Sequence, residues 1–287
     1  MVDMILVTGA TGTIGSEVVR QLAARGEKVR ALTRDPAAAE VPSDVETVPG
    51  HHRDRASVEA AMAGADAAFL VGVFGPDDAD HDRGLVEAAM AAGVRRIVKL
   101  SSIGTGDPRY GVFGTWHHAG EEAVRASGLE WTVLRPSTFA SNTLSWAEAV
   151  RQGTPAPNVM SDGEQGVVDP RDVSELAVAA LLDGRHEGRT YTLTGPEALS
   201  ASRQAAVLGE VLGRPVRLQE LTSEQRREQL LASGLGEAYA DSLVAAARFI
   251  EEGGNAVVTE DLREALGRPA RTYREWAEDH KEAFTAM

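Results

Sequence analysis

The sequence predicts an α/β fold, a doubly wound parallel sheet with a smaller, mostly helical α/β lobe after it, and three observations carry that prediction. The apolar run Ile5-Leu6-Val7 breaks into the turn Gly9-x-x-Gly12-x-x-Gly15 and then into a helix-forming segment. Strand-like and helix-like segments go on alternating as far as Pro136, the pattern of a parallel sheet covered on both faces. Ala67-Ala68-Phe69-Leu70-Val71 is apolar at every position, as a strand buried on both sides requires.

Each element follows from its residues. Ser16 to Arg25 is a helix closed by Gly26, and Lys28 to Thr33 is the second strand, ending at Arg34. Asp35 to Ala39 reads as a turn with a short helix, and Val45 to Val48 as a third strand leading to Gly50. Ser57 is the expected cap of a helix to Ala63, with Gly64 as its stop. After the buried strand, Val73 to Asp82 reads as an acidic loop leading into a helix that ends near Gly93. Arg96 to Leu100 is the next strand, His117 to Ser127 a helix stopped by Gly128, and Trp131 to Arg135 a strand ended by Pro136.

From Ser137 the alternation fades. A short helix is expected around Asn142 to Val150, a Gly/Pro-rich loop over Gly153 to Asn158, and a helix over Val173 to Leu182 capped by Asp172. Thr190 to Thr194 reads as a strand, Ser200 opens a helix ended by Gly213, and Val216 to Leu221 is a further short strand. Thr222-x-x-Gln225 and Thr272-x-x-Glu275 have capping-box spacing. The boundaries expected are a nucleotide-binding domain over residues 1–136, with later returns from 160–195, and a substrate-binding lobe over 137–287.

Composition narrows the function. A net charge of −14 and the lack of any Lys/Arg-rich segment argue against nucleic acid and anionic membranes as partners, since both are polyanions. No apolar run approaches the roughly 20 residues that span a bilayer, and the chain enters its first strand without a basic leader, so a cytoplasmic location is expected. The absence of cysteine removes disulfides, thiolate nucleophiles and zinc-thiolate sites. Redox chemistry therefore has to come from a bound cofactor.

The first turn supplies a place for one. Glycines let the backbone bend tightly and a pyrophosphate approach closely, while the helix that follows aims free N–H groups at the anion. The spacing differs from G-x-G-x-x-G, so the strand-turn-helix context carries this reading. Arg34 stands after the second strand, where an NAD site usually has an acid. Arginine there pairs with a ribose 2′-phosphate, which favours NADP(H) over NAD(H), although Asp35 is adjacent. The paired His51-His52 are either a solvated loop or neighbours of the adenine, and Ser101-Ser102 either close a turn or face a ligand at the carboxyl edge of the sheet. No carboxylate spacing supports a metal at these histidines or at His117-His118. Phe74, Tyr110, Trp116, Phe139 and Trp146 are candidate cleft walls, each equally readable as an ordinary core or surface aromatic.

Together these residues resemble the NmrA-like branch of the atypical short-chain dehydrogenase/reductases. The likeness rests on Thr8-Gly9-Ala10-Thr11-Gly12-Thr13-Ile14-Gly15, Leu32-Thr33-Arg34-Asp35-Pro36, Ala91-Ala92-Gly93-Val94-Arg95-Arg96-Ile97-Val98 with Ser101-Ser102, Ser127 through Pro136, and Thr192-Leu193-Thr194-Gly195-Pro196. Its closest flavour is that of the bacterial NAD(P)H:quinone oxidoreductases. The resemblance implies a Rossmann-type domain, with Gly9, Thr11, Gly12, Thr13 and Ile14 at the pyrophosphate, Arg34 at the adenosine ribose or its phosphate, and Gly72 and Ser101 lining the nicotinamide side.

Family members with full dehydrogenase machinery carry a Tyr-x-x-x-Lys pair, which falls here on Phe113 and His117. Phenylalanine donates no proton, so carbonyl reduction through a tyrosine acid is not expected. His117, a residue type that titrates near neutrality, is the candidate for holding the nicotinamide ribose or protonating the substrate; the lesser alternative is a helix-start residue that merely packs or meets water. Tyr110 is a candidate displaced hydroxyl, and Phe113 and Asn142 join the candidate walls. Quinones suit a site without a strong acid, because the hydroquinone anion is resonance-stabilised. The expected function is NAD(P)H-dependent reduction of a quinone or similar conjugated small molecule. The alternatives are a redox sensor acting on a protein partner and a secondary-metabolite tailoring oxidoreductase or monooxygenase. A homodimer is compatible with either reading.

Overall fold

The computed structural model describes residues 3–72, 79–111, 113–159 and 161–285. In chain order the elements are β1 (Ile5–Val7), α1 (Gly15–Ala24), β2 (Val29–Thr33), β3 (Glu46–Pro49), α2 (Arg55–Met62), β4 (Ala67–Leu70), α3 (Ala79–Ala92), β5 (Arg96–Leu100), α4 (Phe113–Trp116), α5 (His118–Ala126) and β6 (Glu130–Pro136). There follow α6 (Ala147–Gln152), β7 (Ala156–Asn158), β8 (Gln165–Gly166), α7 (Pro170–Leu182), β9 (Arg189–Leu193), β10 (Ala198–Leu199), α8 (Ala201–Leu212), β11 (Leu218–Glu220), α9 (Ser223–Ala232), α10 (Glu237–Glu251), α11 (Asp261–Leu266) and α12 (Tyr273–Asp279).

Seven strands form the main sheet in the order β3-β2-β1-β4-β5-β6-β9. Ile5 of β1 lies between Val29 of β2 and Ala67 of β4, both parallel to it, and β4, β5 and β6 continue in parallel register. The chain order reverses on either side of β1, and a Rossmann-like sheet binds its ligand outside the carboxyl ends of the strands at that reversal.

The chain divides into two compact units, residues 1–106, 114–136 and 170–192 in one and residues 107–113, 137–169 and 193–287 in the other. The first has a core of strand and helix side chains that includes Leu6, Leu32, Met62, Leu70, Leu85 and Ile97. The second packs Trp146, Val167, Leu208, Tyr273, Trp276 and Phe284 together. Among the described residues no helix is long and apolar enough to cross a membrane.

Several local expectations are corrected. Asp35 to Ala39 forms no helix, because the Asp35 carboxylate accepts from the N–H groups of Ala37 and Ala38 and closes a turn instead. α2 is capped by Asp54, not Ser57: the Asp54 carboxylate takes the N–H groups of Ala56 and Ser57, and the Ser57 hydroxyl donates to the Asp54 carbonyl. α3 begins at Ala79, so Asp82 stands in its first turn rather than closing a loop. The helix expected from His117 forms as α5 with His117 as its N-cap, and the separate short helix α4, not expected from the sequence, precedes it. Residues 140–146 are a 3-10 turn before α6. The segment read as a Gly/Pro loop holds β7, which pairs with β11; Pro157 is tolerated in so short a ribbon because every strand of it is an edge. α7 opens at Pro170, whose ring suits the first helical turn, leaving Asp172 inside the helix and not before it.

Candidate active site

The glycine turn folds as its residues dictate. Gly9 has φ +61°, and the Gly12 N–H donates to the Gly9 carbonyl at 3.0 Å. A Cβ on Gly15 would sit 2.1 Å from that same carbonyl oxygen, so Gly15 is required for α1 to start against the turn. A Cβ on Gly12 would meet only the Gly9 carbonyl, at 3.3 Å, and otherwise open space. Thr8 locks the turn to the neighbouring strand: its hydroxyl accepts from the Val71 N–H at 2.7 Å and lies 3.2 Å from the carbonyl oxygens of Phe69 and Val71.

In front of this turn lies a cleft of about 600 Å³ lined by Thr8, Gly9, Thr11, Gly12, Leu32, Thr33, Arg34, Gly50, His51, His52, Arg53 and Val71. In a chain of net charge −14, this lining contains two arginines and two histidines and no carboxylate. Asp35 turns its carboxylate into its own loop, whereas the exposed Arg34 guanidinium has no intramolecular partner among the described residues. The His51 and His52 rings are 4.2 Å apart. An open glycine turn at a helix N-terminus and a free guanidinium beside it fit a dinucleotide with its diphosphate at the turn and a phosphate on its adenosine ribose.

A second group of polar residues, of which the sequence singles out His117 but not Lys99 or Asp82, lies at the carboxyl ends of β4 and β5. Lys99 is fully buried, and its ammonium reaches the buried Asp82 carboxylate at 2.8 Å, the Leu100 carbonyl at 2.9 Å and His117 Nδ1 at 3.4 Å. His117 Nδ1 is 3.9 Å from Asp82 Oδ2. Burial, helped by the Lys99 charge, holds the imidazole well below its ordinary pKa. Two glycines make room for this group. A Cβ on Gly120 would lie 2.0 Å from Asp82 Oδ2 and 2.7 Å from Lys99 Cε, and one on Gly72 would lie 3.0 Å from Asp82 Oδ1.

Next to it, the fully buried Glu121 accepts from Ser101 Oγ at 2.5 Å, from Arg135 Nε at 2.8 Å and Nη2 at 2.6 Å, and from Arg125 Nη2 at 2.6 Å. Burial by itself would raise the Glu121 carboxyl; the bonds from Arg135 and Ser101 outweigh it and keep the group below its ordinary value.

The residues singled out in the sequence are placed as follows. Gly9, Thr11, Gly12 and Arg34 line the cleft, and Thr13 is exposed beside it in the turn. Ile14 is buried, and its carbonyl accepts from the Ser174 hydroxyl of α7. Gly72 and Ser101 belong to the polar group behind, Ser101 being 4% exposed with its hydroxyl taken by Glu121.

Tyr110 lies in the second unit, where its ring packs on Phe249 and its hydroxyl donates to the Gly254 carbonyl at 3.3 Å; burial raises its pKa. Trp116 is buried in the first unit, and Trp146 in the core of the second. Phe139 precedes the 3-10 turn on which the exposed Asn142 stands. Phe74 and the side chain of Phe113 lie outside the described residues. The signal that could have revealed Lys99 and Asp82 is Gly120, an isolated glycine inside a helical pattern, which marks a close approach.

Comparison with known proteins agrees with this geometry. A family described as NAD(P)H-binding matches residues 9–184. The chain is 44% identical to the (4-alkanoyl-5-oxo-2,5-dihydrofuran-3-yl)methyl phosphate reductase of Streptomyces griseus, over 98% of this chain and 99% of that one. It is 36% identical to the NAD(P)H azoreductase of Xenophilus azovorans, over 99% of this chain and 100% of the other. Its structure is similar to that of an NADPH-dependent quinone oxidoreductase of Escherichia coli crystallised with NADPH, with a TM-score of 0.81 and 26% identity over 96% of this chain and 99% of that one.

Proposed function

The chain belongs to the NAD(P)H-binding family and is an NAD(P)H-dependent oxidoreductase, and from that premise we propose that it prefers NADPH and reduces small conjugated acceptors, quinones among them, by hydride transfer without a tyrosine acid. The NmrA-like resemblance of its motifs agrees with that membership. The single observation that carries the cofactor preference is the basic, carboxylate-free end of the cleft, where Arg34 faces in and Asp35 faces away. The NADPH complex of the E. coli relative supports the same choice.

NADPH, when bound, supplies a hydride from its nicotinamide ring. The chain supplies position and electrostatics. Gly9, Thr11, Gly12, Thr13 and Ile14 hold the diphosphate at the α1 N-terminus, Arg34 binds the 2′-phosphate, and Gly72 and Ser101 border the nicotinamide side. His117 is the polar group facing the acceptor. Phe113 stands where a tyrosine acid would be, so the acceptor must delocalise the incoming charge itself. The named substrates of the relatives share that property: an azo compound, a quinone, and a dihydrofuranone whose ring double bond is conjugated with carbonyl groups. Each takes a hydride to give a resonance-stabilised anion that water can protonate. The second unit, with Phe139 and Asn142, is the proposed substrate-selecting part.

The test is to mix purified protein with NADPH or NADH and a panel of quinones, azo dyes and alkanoyl-dihydrofuranone phosphates, following the loss of reduced nicotinamide absorbance. Turnover with a conjugated acceptor and a preference for NADPH is expected. Failure of every acceptor to oxidise NADPH overturns the proposal.

A further inference from the structure

The Lys99, Asp82 and His117 group is buried where burial is costly. An ammonium and a carboxylate fully removed from water gain little stability over an apolar pair of the same volume. Here two glycines are also committed to making room for them, since a Cβ on Gly120 or Gly72 would approach the Asp82 carboxylate to 2.0 or 3.0 Å. The pair is oriented by α3, which carries Asp82, by β5, which carries Lys99, and by the break between α4 and α5, which carries His117. The Lys99 ammonium has donors only. It gives one to the Leu100 carbonyl at 2.9 Å and one to His117 Nδ1 at 3.4 Å, and its charge is balanced by the Asp82 carboxylate 2.8 Å away. A nitrogen that faces a donor must present its lone pair.

We infer that Lys99, anchored by Asp82, is the positioning residue that fixes His117 in the tautomer carrying its proton on Nε2, so that His117 meets the acceptor as a hydrogen-bond donor and not as a base. The inference rests on the reading of His117 as the polar group facing the acceptor. The bond made by one ring nitrogen of a histidine sets the state of the other, and a buried cation beside Nδ1 also opposes a second positive charge on the ring. His117 then acts as a neutral donor toward the oxygen or nitrogen on which negative charge develops as hydride arrives. Lys99 touches neither the substrate nor the cofactor in this arrangement.

The experiment uses the whole chain labelled with ¹⁵N-histidine, with the His117 resonances assigned by their loss in His117→Gln. Long-range proton-nitrogen correlation at neutral pH is expected to show a protonated Nε2 and a bare Nδ1. In Lys99→Met/Asp82→Asn, which removes both buried charges together and leaves none unpaired, the two tautomers are expected to mix, and kcat to fall about tenfold or more with the NADPH Kd unchanged. Because that variant can also fail to fold, the wild-type tautomer alone decides the matter. A proton on Nδ1, or an imidazolium at neutral pH, overturns the inference whatever the activity. Loss of activity in His117→Gln combined with a proton on Nδ1 would leave the reading of His117 standing and remove only the role of Lys99. An Nε2 proton combined with full activity in His117→Gln would leave the lock in place and remove the donor role.

Discussion

The Ser101 hydroxyl donates to the Glu121 carboxylate at 2.5 Å, which fastens the carboxyl end of β5 to α5. A serine at that position reads in the sequence as a ligand contact or a turn closure; in the fold Ser101 is 4% exposed and its hydroxyl serves a buried charge. Glu121 also receives Arg135 and Arg125, both at 2.6 Å. Removing the charge by Glu121→Gln leaves two guanidinium groups facing a neutral amide. The Arg135 and Arg125 side chains are 23% and 40% exposed and stay partly solvated, so the cost is that of charge-assisted hydrogen bonds, about 1.5–3 kcal/mol, and thermal unfolding of the variant is expected to show a loss of that size.

The same carboxylate gives the stability a definite pH dependence. Its pKa in the fold is lowered, so its contribution is complete above the unfolded value of about 4.3 and is lost as pH falls through the native value. Melting temperatures measured from neutral pH downward should hold level and then drop below about pH 4, and Glu121→Gln should flatten that drop. An equal acid drop in the variant would show that other carboxylates carry it.

Gly12 and Gly15 are alike in the sequence and different in the fold. Gly15→Ala puts a Cβ 2.1 Å from the Gly9 carbonyl oxygen, whereas at Gly12 the nearest atom is 3.3 Å away. Gly15→Ala should therefore lower the melting temperature markedly. Gly12→Val should leave it nearly unchanged and abolish the heat of NADPH binding in calorimetry, because the branched side chain fills the space of the diphosphate. Normal binding by Gly12→Val would move the diphosphate elsewhere.

Arg34 tests the choice of nucleotide. A charge-assisted hydrogen bond is worth about 1.5–3 kcal/mol, so Arg34→Ala should weaken NADPH binding by roughly 10- to 150-fold while changing NADH binding little. Titration of both nucleotides against both proteins measures this. A parallel loss for NADPH and NADH would mean that the guanidinium serves something other than the 2′-phosphate.

The frame of the molecule was legible because its signals are local. The apolar run before Gly9, the wholly apolar β4 and the caps at Ser200, Thr222 and Thr272 each announce themselves within a few residues, and each forms as read. The glycine turn and Arg34 were legible for the same reason. What was hidden is pairing across the chain. In Arg-Ile-Val-Lys-Leu, Lys99 has the look of a solvated strand residue, and Asp82 that of a loop acid; only the packing of α3 against α5, with Lys99 of β5 reaching Asp82 of α3, turns them into a buried pair. Asp35 could not be separated from Arg34 until its carboxylate was seen closing its own turn. β7 was hidden because its partner β11 lies far along the chain.

His117 and Tyr110, the two polar candidates for the proton, make opposite predictions. The Tyr110 hydroxyl is engaged by the Gly254 carbonyl, so Tyr110→Phe should leave kcat unchanged and cost about 0.5–1.5 kcal/mol of stability. His117→Ala should lower kcat by about 10²-fold or more, as loss of a positioned proton-bonding group does, with NADPH affinity unaltered. The pH profile separates the two protonation states of His117. Burial and the neighbouring Lys99 charge lower its pKa well beneath the ordinary value of about 6.5, with Asp82 the opposing charge at 3.9 Å. The ring therefore stays neutral as pH falls through that region, and kcat should be flat across it. If an imidazolium were the acid, kcat would instead decline as pH rises through about 6.5. A decline there that disappears in His117→Ala would show a charged His117 at work and would remove the neutral donor.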